Sequence, residues 1–67
     1  MIIIKTWQVR KERGITLVKL AEMTGISKTT LNDIENGKIS PNLNQLEKIA
    51  IALNVSMSDL YESVRES

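Results

Sequence analysis

Helix-ending residues recur at short intervals along this chain and leave room for only a few turns of helix between them. They are Gly14, Gly25, Gly37, the pair Ser40-Pro41, and Asn54. Glycine and asparagine adopt the left-handed conformation that ends many helices, and proline cannot continue one. In a chain of 67 residues, this spacing predicts a single domain, residues 1–67, built from five short helices.

The composition favours the same all-α architecture. One Pro, three Gly and no Phe suit helices joined by tight turns better than a sheet, which draws on aromatic and β-branched residues. A domain of this size removes only about 60% of its unfolded surface from water. We therefore expect a small, compact core.

Capping residues and apolar spacing predict where each helix lies. The first three are expected at about Ile3 to Arg13, Leu17 to Thr24 and Lys28 to Asn36, with Thr16 and Ser27 as N-caps of the second and third. Asn42 and Gln45 match a capping box before a fourth helix, which would bury Leu46, Ile49, Ala50 and Leu53. Ser56 is the expected cap of a fifth helix that carries Met57, Leu60, Tyr61 and Val64.

The residue types that are missing argue against an enzyme. The chain has no Cys and no His, so disulfides, the usual zinc ligands, thiol nucleophiles and imidazole bases are excluded. No pattern sets a base beside a hydroxyl or two acids across a cleft. We therefore expect no catalysis, no metal and no cofactor. The apolar run from Met1 to Ile4 ends at Lys5 and is too short for a signal peptide or a membrane span, which predicts a cytoplasmic protein.

The charge is distributed unevenly although the formal net charge is only +1. Residues 1–38 carry seven Lys or Arg and four Asp or Glu, whereas residues 39–67 carry two and four. The basic half is the candidate for a phosphate-bearing partner. A solvated face of mixed charge would give similar counts.

The second and third predicted helices form a possible DNA-reading unit. They are joined by a tight turn at Gly25, and the third helix has Leu31 and Ile34 on one face and short polar residues on the other. This is the arrangement in which a helix enters the major groove of DNA. The arrangement alone is common among small helical domains, so it leaves other functions open.

The full motif is more specific. It comprises Gly14-Ile15-Thr16, Leu20-Ala21-Glu22, residues 25–31, residues 34–38 and Pro41, and continues through Leu43, Leu46, Ile49-Ala50, Ala52-Leu53, Val55-Ser56 and Leu60. Over about residues 5–62 the chain resembles the Cro/phage-repressor (XRE-like) helix-turn-helix family. The resemblance implies a compact lambda-repressor-like domain. It also implies a sequence-specific, repressor-like regulator of transcription that binds double-stranded DNA.

The resemblance makes the third helix the recognition helix. The residues implied to meet base edges are Lys28, Thr29, Asn32 and Asp33. Lys28 would donate to guanine, Thr29 would touch a thymine methyl, Asn32 would pair with adenine and Asp33 would accept from cytosine. A phosphate contact is an equal alternative for Lys28, and a plain soluble surface is the alternative for Asn32 and Asp33.

Phosphates are expected near helix N-termini and short polar groups. The candidates are Thr16, Ser27, Asn36, Lys38 and Ser40. The family pattern usually has a polar residue at the first position of helix two, where this chain has Leu17, and a larger apolar residue where it has Thr24. The usual phosphate contact is therefore in doubt, and Leu17 would instead pack on the recognition helix or touch a thymine methyl. Arg10 and Glu35 resemble a partly buried ion pair of the family, with a structural role.

Apolar residues beyond the needs of the core suggest a subunit interface. They are Ile3, Ile4, Trp7, Val18, Ile51, Tyr61 and Val64. A two-fold dimer sets its recognition helices about 34 Å apart, which predicts an inverted-repeat operator. Completion of the small core is the competing explanation for these residues.

Two other functions are compatible with the same fold. One is a protein-interaction module in which Leu17 and Asp33 have weakened DNA binding. The other is an antitoxin or restriction-controller protein that combines DNA with a protein partner. No small-molecule ligand is expected for any of these functions.

Overall fold

The computed structural model describes residues 1–65, in which four α-helices are joined by short turns and the two ends of the chain meet in a small sheet. The helices are α1 (Thr6–Glu12), α2 (Leu17–Thr24), α3 (Lys28–Glu35) and α4 (Leu43–Leu53). A single 3-10 turn, Met57–Leu60, follows α4. The strands are β1 (Ile2–Ile4) and β2 (Tyr61–Ser63).

The predicted helix starts are confirmed by their capping bonds. The hydroxyls of Thr16 and Ser27 each accept the backbone N–H three residues later, both at 3.1 Å. Asn42 and Gln45 form the predicted capping box before α4, with bonds of 2.8 and 3.0 Å. Each cap satisfies donors that the first turn of a helix would otherwise leave unpaired. The sequence therefore located α2, α3 and α4 correctly.

The core is formed where α2, α3 and α4 meet. Its most deeply buried apolar side chains are Leu20, Leu31, Ile34, Ile49, Leu53 and Leu60, each at most 1% exposed. Helix α2 contacts both α3 and α4, and the 3-10 turn packs against α4. Since helices supply this core, the all-α class holds.

The prediction of five helices is wrong at both ends of the chain. The first predicted helix began at Ile3, but residues 2–4 form β1, which pairs antiparallel with β2. The predicted fifth helix is reduced to the 3-10 turn, because the backbone of Tyr61–Ser63 pairs with β1. The β-branched isoleucines favour a strand. Segments of three residues are too short for periodicity to separate helix from strand.

The two strands depend on each other across almost the whole chain. Ile2, Ile3 and Ile4 lie opposite Ser63, Glu62 and Tyr61. The Lys5 backbone N–H donates to the carbonyl of Leu60 at 2.8 Å, so the sheet continues directly into the start of α1. Within residues 1–65, no helix has the length and apolarity needed to cross a bilayer.

Candidate nucleic-acid interface

The turn between α2 and α3 aligns the two helices in a helix-turn-helix pair. Gly25 has φ of +74°, a left-handed conformation that glycine adopts without steric cost, and its N–H donates to the carbonyl of Ala21 at 2.9 Å. Ile26 is buried beneath the turn, and Ser27 then caps α3. The chain therefore reverses in three residues and starts α3 immediately.

Helix α3 has one face in the core and one in solvent. Leu31 and Ile34 are each 1% exposed. Of the four residues predicted to meet base edges, Lys28, Thr29 and Asn32 are exposed and Asp33 is half-buried. Thr29, Asn32 and Asp33 lie on the stripe of α3 opposite Leu31 and Ile34, whereas Lys28 lies at the edge of that stripe in the first turn. The helix thus presents two donors, a hydroxyl with a methyl, and one partly covered carboxylate.

The residues predicted to contact phosphate lie at two helix N-termini and in one loop. Thr16 and Ser27 cap α2 and α3, so their hydroxyls accept bonds from the helices themselves. Asn36, Lys38 and Ser40 are exposed at the end of α3 and in the loop that follows. Both groups have polar atoms facing solvent, which is the requirement for meeting a phosphate backbone.

The loop after α3 begins from a well-fixed position. The backbone N–H of Gly37 donates to the carbonyl of Ile34 at 3.2 Å, and that of Lys38 donates to the carbonyl of Asp33 at 2.9 Å. These two bonds form the Schellman closure of a helix end. This closure fixes the backbone of Lys38 against α3. The Lys38 side chain therefore begins from a fixed position at the end of the helix.

Leu17 is half-buried and packs against the apolar core. It therefore behaves as part of the packing between helices. Its side chain has no hydrogen-bond donor to offer a phosphate.

Two polar side chains have roles that the sequence reading did not find. The Thr30 hydroxyl accepts from the Ser27 hydroxyl at 2.8 Å and so restrains the cap of α3. The Thr24 hydroxyl donates to the carbonyl of Leu20 at 2.8 Å and accepts from the Ile26 N–H at 3.2 Å. The available signal was Thr24 at the end of a helix, where threonine hydroxyls bond to the carbonyl four residues earlier.

Arg10 on α1 and Glu35 at the end of α3 form a two-bonded ion pair. Arg10 Nε donates to Glu35 Oε2 at 2.7 Å, and Arg10 Nη2 donates to Glu35 Oε1 at 3.0 Å. The two side chains are only 10% and 5% exposed. Arg10 Nη1 also donates to the backbone carbonyl of Ile15 at 2.9 Å. The guanidinium therefore ties α1 to α3 and to the loop before α2.

No cluster of three or more His, Cys, Asp or Glu side chains occurs among residues 1–65. The candidate interface consists of hydroxyl, amide and lysine side chains, with the one carboxylate of Asp33, on and around α3. Two helices that each bury one face, joined by a tight turn, with polar residues exposed on the second, have the architecture of the helix-turn-helix class of DNA-binding domains.

Comparison with known proteins gives the family. A family model described as helix-turn-helix matches residues 8–60, and the chain belongs to this family. It is 49% identical over 51 residues to the HTH-type transcriptional regulator SutR of Escherichia coli, covering 76% of this chain and 29% of SutR. It is 44% identical over 50 residues to the immunity repressor protein of Bacillus phage phi105, covering 75% of this chain and 35% of the repressor.

A solved structure agrees with the fold. The N-terminal DNA binding domain of SinR from Bacillus subtilis superposes with a TM-score of 0.75 at 38% identity, covering 81% of this chain and 80% of that domain. The XRE-like resemblance expected from the motif is therefore confirmed. The chain spans only about a third of the length of SutR and of the phage repressor.

Replacing Glu35 by Ala is expected to lower the free energy of unfolding by about 3–5 kcal/mol, because Arg10 would remain buried without its counter-charge. Urea or thermal unfolding followed by circular dichroism measures this loss. Glu22→Ala is the matched control, since it breaks the Lys19–Glu22 contact, 3.9 Å long between side chains 63% and 67% exposed. The control should cost at most about 1 kcal/mol. A similarly small loss for Glu35→Ala would show that the buried pair is not structural.

Proposed function

We propose that the protein is a sequence-specific regulator of transcription, repressor-like, that binds double-stranded DNA through α3. One observation carries the proposal. Lys28, Thr29 and Asn32 are exposed on the same helix that buries Leu31 and Ile34. A reading surface is thereby attached rigidly to the core. The relatives named regulator and repressor support this function.

The proposed base contacts follow the chemistry of each side chain. Lys28 donates to guanine O6 or N7, Asn32 pairs with adenine N6 and N7, and Thr29 sets its methyl against thymine. Asp33 accepts from cytosine N4. Because it is partly buried, it would contact the bases less than the other three residues do. These four residues would select the site.

Affinity would come mainly from the phosphate backbone. Thr16 and Ser27 lie at helix N-termini, whose N–H groups and dipoles attract anions. Asn36, Lys38 and Ser40 would hold the next phosphates from the loop after α3. Because the Leu17 side chain has no hydrogen-bond donor, phosphate binding at the start of α2 would depend on backbone N–H groups.

We further propose that two copies bind an inverted repeat as a homodimer. An apolar groove is lined by Ile2, Ile4, Pro41, Leu43, Leu46 and Tyr61, together with Ser40. Ser40 belongs to the proposed phosphate-contacting set, so this groove adjoins the DNA face. A second copy seated there would present both recognition helices to the same side of one duplex, as a two-fold dimer requires.

The names of the relatives do not favour a protein-interaction module that has lost DNA binding.

These relatives come from a bacterium and from a phage of bacteria, and bacterial DNA lies in the cytoplasm. We therefore propose that this protein acts in the cytoplasm.

Selection from a random duplex library with the purified protein tests the proposal. The expected result is an enriched inverted repeat whose half-sites lie about one helical turn apart, because dimer symmetry is copied into the operator. An enriched single half-site would keep DNA reading and remove the dimer. No enrichment by folded protein would contradict the proposed function.

Repeating the selection with Asn32→Ala tests the recognition helix. The variant should lose preference at one base pair of each half-site and bind the original site about 1–3 kcal/mol more weakly. Asn44→Ala, which removes the same exposed amide from α4, should select the original site. Unchanged selection by both variants would exclude Asn32 from base reading.

The salt dependence of binding to the selected duplex tests the phosphate contacts. Each phosphate neutralised by a cationic side chain contributes about −0.9 to the slope of log affinity against log salt. Lys38→Ala should make the slope shallower by about that amount. Lys48→Ala, an equal charge change on an exposed residue of α4, should leave it nearly unchanged. Equal effects of both variants would remove Lys38 from the interface.

The dimer surface is tested by two substitutions of equally exposed residues. Leu43 lies at the start of α4 in the apolar groove and is 73% exposed, whereas Ile51 lies near the end of α4 outside the groove and is 72% exposed. Ile51 is one of the residues that the sequence suggested for the interface, so the pair separates the two candidate surfaces. Leu43→Lys should yield monomers in sedimentation velocity, because each interface would gain two unpaired charges, whereas Ile51→Lys should remain dimeric. A wild type that stays monomeric both free and on DNA would exclude the dimer. Loss of the dimer in Ile51→Lys alone would move the interface from the groove to the surface around Ile51.

A further inference from the structure

Two connections in this chain end in nearly the same three residues. Arg13-Gly14-Ile15-Thr16 joins α1 to α2, and Gly25-Ile26-Ser27 joins α2 to α3. In both, the glycine is left-handed and the last residue caps the next helix. Their hydrogen bonding differs at the central isoleucine.

The first connection closes as most helix ends in this chain do. The residue after the left-handed position donates its backbone N–H to the carbonyl five residues earlier. This bond joins Ile15 to Arg10 at 3.1 Å, Lys38 to Asp33 at 2.9 Å and Val55 to Ala50 at 3.0 Å.

The connection between α2 and α3 closes through a side chain instead. The Ile26 N–H donates to Thr24 Oγ1 at 3.2 Å, and the Thr24 hydroxyl donates to the carbonyl of Leu20 at 2.8 Å. Thr24 and Ile26 are 8% and 9% exposed. A buried N–H without a partner is costly. Because the Ile26 N–H does not donate to the carbonyl five residues earlier, the Thr24 hydroxyl is the group that satisfies it.

The residue before the glycine differs between the two connections: it lies just beyond α1 in the first and is the last residue of α2 in the second. It is Arg13 in the first connection and Thr24 in the second. A threonine hydroxyl at this position reaches both the carbonyl one turn back and the N–H two residues ahead. It thereby replaces the backbone bond that would draw Ile26 back onto α2.

We propose that Thr24 is a positioning residue whose hydroxyl sets the angle at which α3 leaves α2. The proposal rests on the function proposed above, since that angle decides where Lys28 and Thr29 stand relative to the cap at Thr16. The competing role is purely structural, in which the hydroxyl only satisfies buried groups and contributes stability.

Three variants separate the two roles. Thr24→Val keeps the shape and removes the hydroxyl, whereas Thr24→Ser keeps the hydroxyl. Ile49→Val, at a core position of α4 with 0% exposure, is the control for lost stability away from the turn. Affinity for the selected duplex is measured well below the lowest melting temperature of the set, so that every variant is folded.

Thr24→Val is expected to bind about tenfold more weakly, because the two helix N-termini no longer meet the duplex in register. Thr24→Ser should stay within about twofold of the wild type, and Ile49→Val should bind as the wild type does. Wild-type affinity in Thr24→Val, failure of Thr24→Ser to restore binding, or an equal loss in Ile49→Val would each overturn the positioning role.

Amide NMR gives a readout that needs no DNA. In Thr24→Val the Ile26 amide should lose hydrogen-exchange protection while the Ile15 amide keeps it, and amide shifts should move in residues 29–36, beyond the turn. Unchanged protection and unchanged shifts in α3 would overturn the proposal. If the wild-type protein selects no duplex, the proposed function fails, and these NMR results still decide whether Thr24 positions α3.

Discussion

The burial of one side of α3 is the constraint on which the rest of the structure depends. An eight-residue helix is too short to be stable by itself in water, so its position has to come from packing. Leu31 and Ile34 supply that packing, since both are almost fully buried. The opposite side of α3 is then free to carry polar residues without cost to the core. One short helix therefore supplies both part of the core and the surface proposed to contact DNA.

Polar restraints hold the two ends of α3 where apolar packing would allow it to rotate. At its start, Ser27 caps the helix and the Thr24 hydroxyl fixes the turn before it. At its end, Glu35 is held by the guanidinium of Arg10, which also binds the carbonyl of Ile15. Hydrogen bonds have directions and apolar contacts do not, so these bonds specify orientation as well as position.

Much of this arrangement was predictable because its causes are local. Thr16, Ser27 and the Asn42–Gln45 box mark helix starts through bonds spanning three residues, and the structure has them all. The exposed stripe of α3 also follows from the spacing of its apolar residues. The roles of Thr24 and Thr30 were missed because serine and threonine hydroxyls bond equally well to several neighbouring groups, and only the three-dimensional turn selects among them.

By itself, the sequence determined the class of fold, the positions of α2, α3 and α4, and which face of α3 meets solvent. Each of these follows from caps, stops and periodicity within a few residues. Only the tertiary structure decided that Ile2–Ile4 is a strand and that the fifth helix is a single turn. The two strands pair residues about sixty positions apart, and neither segment contains the information that the other lies beside it. Segments of three residues take their conformation from their partner, because they are too short to have one of their own.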